Sequence, residues 1–239
     1  MPDQLMTPAA LNESKPSPAP TSLRAKLLNV FVSPGEVFEE IVERPPEPAN
    51  WRAPTLLVCL AGVFLFCAVP TGTLTATAIR QPVGAGTISA AGAEASSESW
   101  PLISSLLVCL GACAGTFWSA FVLWFIGRVF LKSRFSFLKA VEVAGLSTLI
   151  LALGTVVTAL LILATGDSLA RPALSLLAGE SDPAGKLHQL LAAVNVFHVW
   201  TAAVLSIGLA KIGGVPTREA ALWVFGYWIV LRVAVILLV

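Results

Sequence analysis

Charge is scarce in this 239-residue chain. Only 12% of residues are Asp, Glu, Lys or Arg, against 56% hydrophobic, with a mean hydropathy of +0.82. A water-soluble domain of this size needs charge over most of its surface, with apolar residues confined to one face of each element. Catalytic signatures are missing as well: there is no HExxH, no GxSxG, no Walker-type phosphate loop and no dinucleotide fingerprint. Imidazole could come only from His188 and His198, and the aspartates Asp3, Asp167 and Asp182 fall in a tail or near loops. The four cysteines, Cys59, Cys67, Cys109 and Cys113, form no CxxC pair and have no histidine nearby in sequence. They are expected to fill helix contacts rather than bind metal. The first fifty residues hold no apolar run of signal-peptide length, so no cleaved secretory segment is expected. Neither an enzyme nor a nucleic-acid binder is expected, and no cofactor or metal.

What the chain does have is long apolar runs. Blocks of twenty or more apolar residues match a bilayer core about 30 Å thick. They predict five transmembrane helices, at about 54–79, 102–131, 140–165, 190–212 and 219–239. The fold class expected is therefore all-α: an integral membrane five-helix bundle (54–239) preceded by a polar, Pro-rich tail (1–21) and short amphipathic helices (22–45). Pro70 should kink the first span by removing an amide hydrogen, with Thr71, Thr73, Thr75 and Thr77 returning hydrogen bonds beyond it. A short surface helix at Leu169 to Leu177 is possible, and Gly213-Gly214-Val215-Pro216 reads as a tight turn with Thr217 as the next cap.

Before the first span, Ser33-Pro34-Gly35-Glu36 has the chemistry of a helix start. Ser33 can cap, Pro34 suits the first helical position and Glu36 completes a capping box. The helix that follows sets Val37, Phe38 and Ile41 on one side and Glu39, Glu40 and Glu43 on the other. It should lie at the membrane surface or on the bundle's end, with Phe38 and Ile41 as a candidate face for lipid or a partner. Gly111 and Gly115 in the second span form a small-xxx-small face suited to close helix packing.

Orientation follows from the basic residues. Segments on the amino-terminal side of a five-span topology carry eleven Lys/Arg, and the opposite loops carry three, Arg80, Arg171 and Lys186. The positive-inside rule then places the amino terminus in the cytoplasm and the carboxyl terminus outside. Two polar features lie within the spans. Arg232, Asn195 and His198 reach similar depth in the outer half and could form a cluster with Asp167; alternatively Arg232 simply snorkels to head groups. Glu142 sits one turn inside the third span, where it would pair with a neighbouring cation or serve as a proton- or ion-coupling carboxylate.

Three stretches carry a family resemblance: SPGEVFEEIVERP (Ser33 to Pro45) followed by Trp51 and Pro54; FSFLKAVEVAGLSTLI (Phe135 to Ile150); and NVFHVWTAAVLSIGLAKIGGVPTREAALWVFGYWI (Asn195 to Ile229). In these the chain resembles the Yip domain family of Ypt/Rab-interacting membrane proteins and their prokaryotic relatives, over about Leu23 to Val239. The resemblance implies a five-helix bundle with a cytoplasmic amino terminus and no catalytic residues. Eukaryotic members act as adaptors that bind small GTPases and shape membranes. The long acidic cytoplasmic region typical of them is missing here, which argues against a small-GTPase partner and for a prokaryotic-style member of a bacterial cytoplasmic membrane. A scaffold or adaptor working on lipids, other membrane proteins or a second copy of itself is the function expected. A small transporter or channel for an ion or small solute is the alternative.

Overall fold

A computed structural model describes residues 21–68, 100–167, 170–174, 191 and 194–238. Within them the chain forms seven helices: α1 (Leu23–Val32), α2 (Pro34–Glu43), α3 (Ala49–Ala68), α4 (Trp100–Val129), α5 (Phe137–Thr165), α6 (Val196–Gly213) and α7 (Thr217–Leu238). The last five are long and apolar enough to cross a membrane. Pro70, its threonines and most of the loop after them lie outside the described residues.

Helix α5 is the axis of the bundle. Every residue from Ala140 to Ile150 is buried, the signature of a helix packed on all sides rather than along one stripe. Small residues let its neighbours approach. A Cβ on Gly145 would fall 2.6 Å from the Trp51 Cα of α3, and one on Gly154 would fall 2.8 Å from the Phe197 ring of α6. In lipid, where apolar surface gives no net drive to associate, such close backbone approach supplies the packing energy. Outward, Leu57 and Leu60 of α3, Leu106 and Leu110 of α4 and Leu222 and Val230 of α7 are exposed, as expected of walls solvated by acyl chains.

The helix ends follow local chemistry. Ser136 caps α5 through its side chain, and Gly166 closes it at φ +68°. Gly214, at φ +64°, ends α6 by donating to the Ala210 and Lys211 carbonyls. Only glycine enters this left-handed region without strain.

Several boundaries differ from the sequence expectation. The first span begins at Ala49, with Pro54 inside the helix. Pro54 lies close enough to the start that its missing amide frees only the Asn50 carbonyl. The fourth span begins at Val196 rather than near 190, because Asn195 caps it. Thr217 is the first residue of α7 rather than its cap; the Pro216 carbonyl accepts the first helical bonds, from Glu219 and Ala220. Of the surface helix expected at 169–177 only residues 170–174 are described; Ala170 to Ala173 are not helical, and Ala173 forms an isolated antiparallel bridge with Asn195.

The expected capping box at Ser33 does not form, since its side chain makes no cap hydrogen bond. Ser33 is the single residue joining α1 to α2, and its amide closes α1 by donating to Asn29 at 2.7 Å. That role holds it at φ −130°, ψ 62°. The two helices form a tight hairpin against the end of the bundle where α5 begins, called here the basic end.

Candidate functional site

The amphipathic helix is not a free surface. Val37, Phe38 and Ile41 are all buried, Phe38 completely, and Phe38 packs beside Gly208 of α6. This corrects the expectation that Phe38 and Ile41 face lipid or a partner; burial against the bundle wins because it removes the same apolar area from water and adds close packing. Pro34 and Gly35 open the helix, and a Cβ added at Gly35 would fall 3.9 Å from the Lys211 side chain. Its outward side carries Glu36, Glu39, Val42 and Glu43, with Glu39 ion-paired to Lys211.

Under the hairpin lies a buried polar network. Glu142 is 2% exposed. Its Oε1 accepts hydrogen bonds from the Glu47 amide and from Asn50 Nδ2, both at 2.7 Å. Its Oε2 lies 3.8 Å from Lys139 Nζ. Lys139 in turn donates to the backbone carbonyls of Ile41 and Arg44, at the end of α2. One turn of α5 thus engages the α2 carboxyl terminus, the α2–α3 connection and the start of α3.

Lys26 of α1 is also buried, and reaches Glu40 at 3.6 Å and Glu47 at 3.5 Å. Arg44 meets the same Glu40 oxygen at 3.1 Å. Burial pushes the Glu40 carboxyl up, but the Thr21 hydrogen bond and the Lys26 and Arg44 charges outweigh it and leave it below its ordinary range. Removing such charges from water is costly unless each is paired and hydrogen-bonded. Lys26, Asn50, Glu40 and Glu47 are not legible as a network in the sequence, which offers only Lys139 as a neighbour of Glu142. The Pro-Pro-Glu-Pro run before α3 is the available signal, since it fixes an extended connection whose amides must find partners elsewhere.

The opposite, far end of the bundle holds the second group. Antiparallel packing of α6 and α7 brings His198 and Arg232 to corresponding heights. Arg232 lies over the Trp228 ring, 5.8 Å from its centroid. Asn195 is engaged elsewhere, as the α6 cap, where its side chain accepts from the Phe197 amide at 2.9 Å. Asp167 is exposed beyond the end of α5. The antiparallel pairing thus sets Arg232 level with His198, while Asn195 is committed to the α6 cap.

Gly115 has open space where a Cβ would be, so among the described residues no helix closes on it at that point. Helices α3 and α4 meet instead through Gly62 against Val108, Thr55 beside Thr116, and Cys59 beside the Cys109 carbonyl. Among the described residues no group of three His, Cys, Asp or Glu is placed to hold a metal ion.

Compared with known proteins, the chain matches the family model described as the Yip1 domain over residues 28–239. No curated protein and no solved structure matches it.

Proposed function

Since the chain belongs to the Yip1 domain family of multi-pass membrane proteins, we propose that it is a non-enzymatic scaffold that presents a rigid acidic platform to partners at the membrane. The observation that carries this reading is the anchoring of the α1–α2 hairpin. Lys139, Glu142, Asn50 and Lys26 tie it to the spans from below, while Glu36, Val42 and Glu43 remain exposed above. A preorganised surface binds without the cost of ordering it. Its acidic character suits a partner with a basic face, and complementary charge raises the encounter rate. In this reading the basic end faces the cytoplasm, as the Lys/Arg bias implies, and the partner is another protein at that face or a second copy of the chain.

The test is site-specific photocrosslinking in intact cells. A photoreactive residue at Val42 should yield one or a few intermolecular adducts, which the E36K/E43K double variant loses. The same residue at buried Phe38 should yield only intramolecular products. Transport is the competing reading, and the unbonded Glu142 Oε2 beside Lys139 is the feature that favours it. Solute flux in proteoliposomes that Glu142→Gln abolishes, with no adducts at Val42, would replace the scaffold reading.

A further inference from the structure

The two helices of the hairpin turn outward sides of opposite chemistry. That of α2 is acidic. That of α1 carries Leu28 and Val32, one turn apart and 69% and 86% exposed. Single exposed apolar residues are ordinary, but this pair joins a larger apolar surface. Their neighbour Phe31 lines a groove of about 410 Å³ between α1, α3 and α5, with Leu57 and Phe64 of α3 and Leu149 and Leu153 of α5 among its walls. Leu57, Phe64 and Leu153 are exposed along the outer wall of the spans. The outward face of α1 therefore continues a surface that the spans already turn to acyl chains.

Depth agrees. The Phe31 ring packs edge-on against Trp200 of α6, with centroids 5.8 Å apart. Trp200 stands about 20 Å along α6 from Gly213, and Leu149 about 18 Å along α5 from Phe137. Helix α5 is about 43 Å long against a core about 30 Å thick, so Leu149 lies inside the core even with all the excess at the basic end. A benzyl ring reaches about one helical turn from its backbone at most, which draws the end of α1 below the surface. Its start stays at that surface, where Lys26 meets Glu40 and Glu47 and Arg24 is exposed.

We propose that α1 is embedded in the leaflet at the basic end, and that the partner of Leu28 and Val32 is the acyl-chain region of the membrane. At ten residues α1 is too short to span. An interfacial helix buries its apolar face about 5–10 Å into the boundary between head groups and acyl chains. Chain that touches lipid must satisfy its own polar groups. The connection out of α1 does so: it is Ser33 alone, its amide bonded to the Asn29 carbonyl at 2.7 Å, and Pro34 after it has no amide hydrogen. Asn29 projects about 100° round the helix from Leu28, on the side away from Phe31. There, and at Glu36 in the first turn of α2, the embedded face gives way to head groups. Embedding does not depend on the scaffold role, since the two use different helices of the hairpin.

The full chain can be reconstituted in vesicles of phosphatidylcholine and phosphatidylglycerol with a nitroxide on a single cysteine, the four native cysteines replaced by alanine. Labels at Leu28 and Val32 should be relaxed by oxygen, which concentrates in hydrocarbon, and shielded from an aqueous nickel chelate. A label at Val42 of α2 should show the reverse order. Where the cysteine-free background does not fold, a photoreactive residue at Leu28 or Val32 in the native-cysteine chain should give phospholipid adducts, resolved by mass spectrometry. Chelate access at Val32 equal to that at Val42 would overturn the proposal. So would adducts at Leu28 and Val32 to a second copy, or to other residues of the same chain, in place of lipid.

Discussion

The Glu142 carboxylate holds the Glu47 amide at 2.7 Å across 95 residues of chain. A carboxylate on the central span thereby fixes the connection between the hairpin and the first span. Glu142→Ala would leave the Glu47 amide, Asn50 and Lys139 without their shared acceptor. Removing one partner of a buried ion pair costs about 3–5 kcal/mol. Glu142→Gln, which keeps one acceptor oxygen, should cost less. Unfolding in detergent, followed by a denaturant titration, would measure both. Equal stability of wild type and Glu142→Ala would show that the network does not hold the hairpin.

Gly145 and Gly115 give opposite expectations for the same substitution. Alanine at 145 would press on the Trp51 backbone, and overpacking of this kind costs about 1–3 kcal/mol. Alanine at 115 meets open space and should leave the thermal midpoint unchanged or slightly raised. Finding Gly115→Ala to be the more damaging change in the monomer would contradict the helix contacts described above.

Acid should loosen the hairpin before it unfolds the spans. Glu40 is held below its ordinary value of 4.5 by Thr21, Lys26 and Arg44 against the opposing effect of burial. A carboxyl depressed in the folded state adds stability that is present above its unfolded value and fades as pH falls through the folded one. Hydrogen exchange of the α1 and α2 amides should therefore accelerate below about pH 4.5, and Glu40→Gln should flatten that dependence. Exchange that instead accelerates with acid equally in Glu40→Gln would assign the effect to another group.

Asn195 caps α6, so Asn195→Ala should cost about 0.5–2 kcal/mol and Asn195→Asp much less. A calorimetric comparison of the two variants separates capping from any role with Arg232.

How much of the architecture is legible in the sequence depends on the range of the physics involved. Five spans can be read because each is a local block of apolar residues. The ends at Gly166 and Gly214 are equally local, since each needs a residue tolerant of positive φ. Ser33 misleads because its neighbours Pro34 and Glu36 fit a capping box, while its amide is already engaged by Asn29 of the preceding helix. Phe38 and Ile41 fall on the correct apolar side, yet nothing local says whether lipid or α6 will cover it. Lys26 and Arg171 are the hardest. A lysine on a short helix and an arginine in a loop look solvent-exposed until tertiary contacts bury one against Glu40 and Glu47 and strap the other's segment to the start of α6.

Helices α6 and α7 run antiparallel from one tight turn at Gly214, and His198 and Arg232 stand 16 and 18 residues from it on either side. Each added or deleted residue would turn everything beyond it through about 100° and shift it by about 1.5 Å. Evolution is thus free to exchange one greasy side chain for another along the outward face of α7. A single-codon insertion between Thr217 and Arg232 would aim the guanidinium into the hydrocarbon. The ruler in this hairpin is its length, and length is the property that drift in this gene should leave alone.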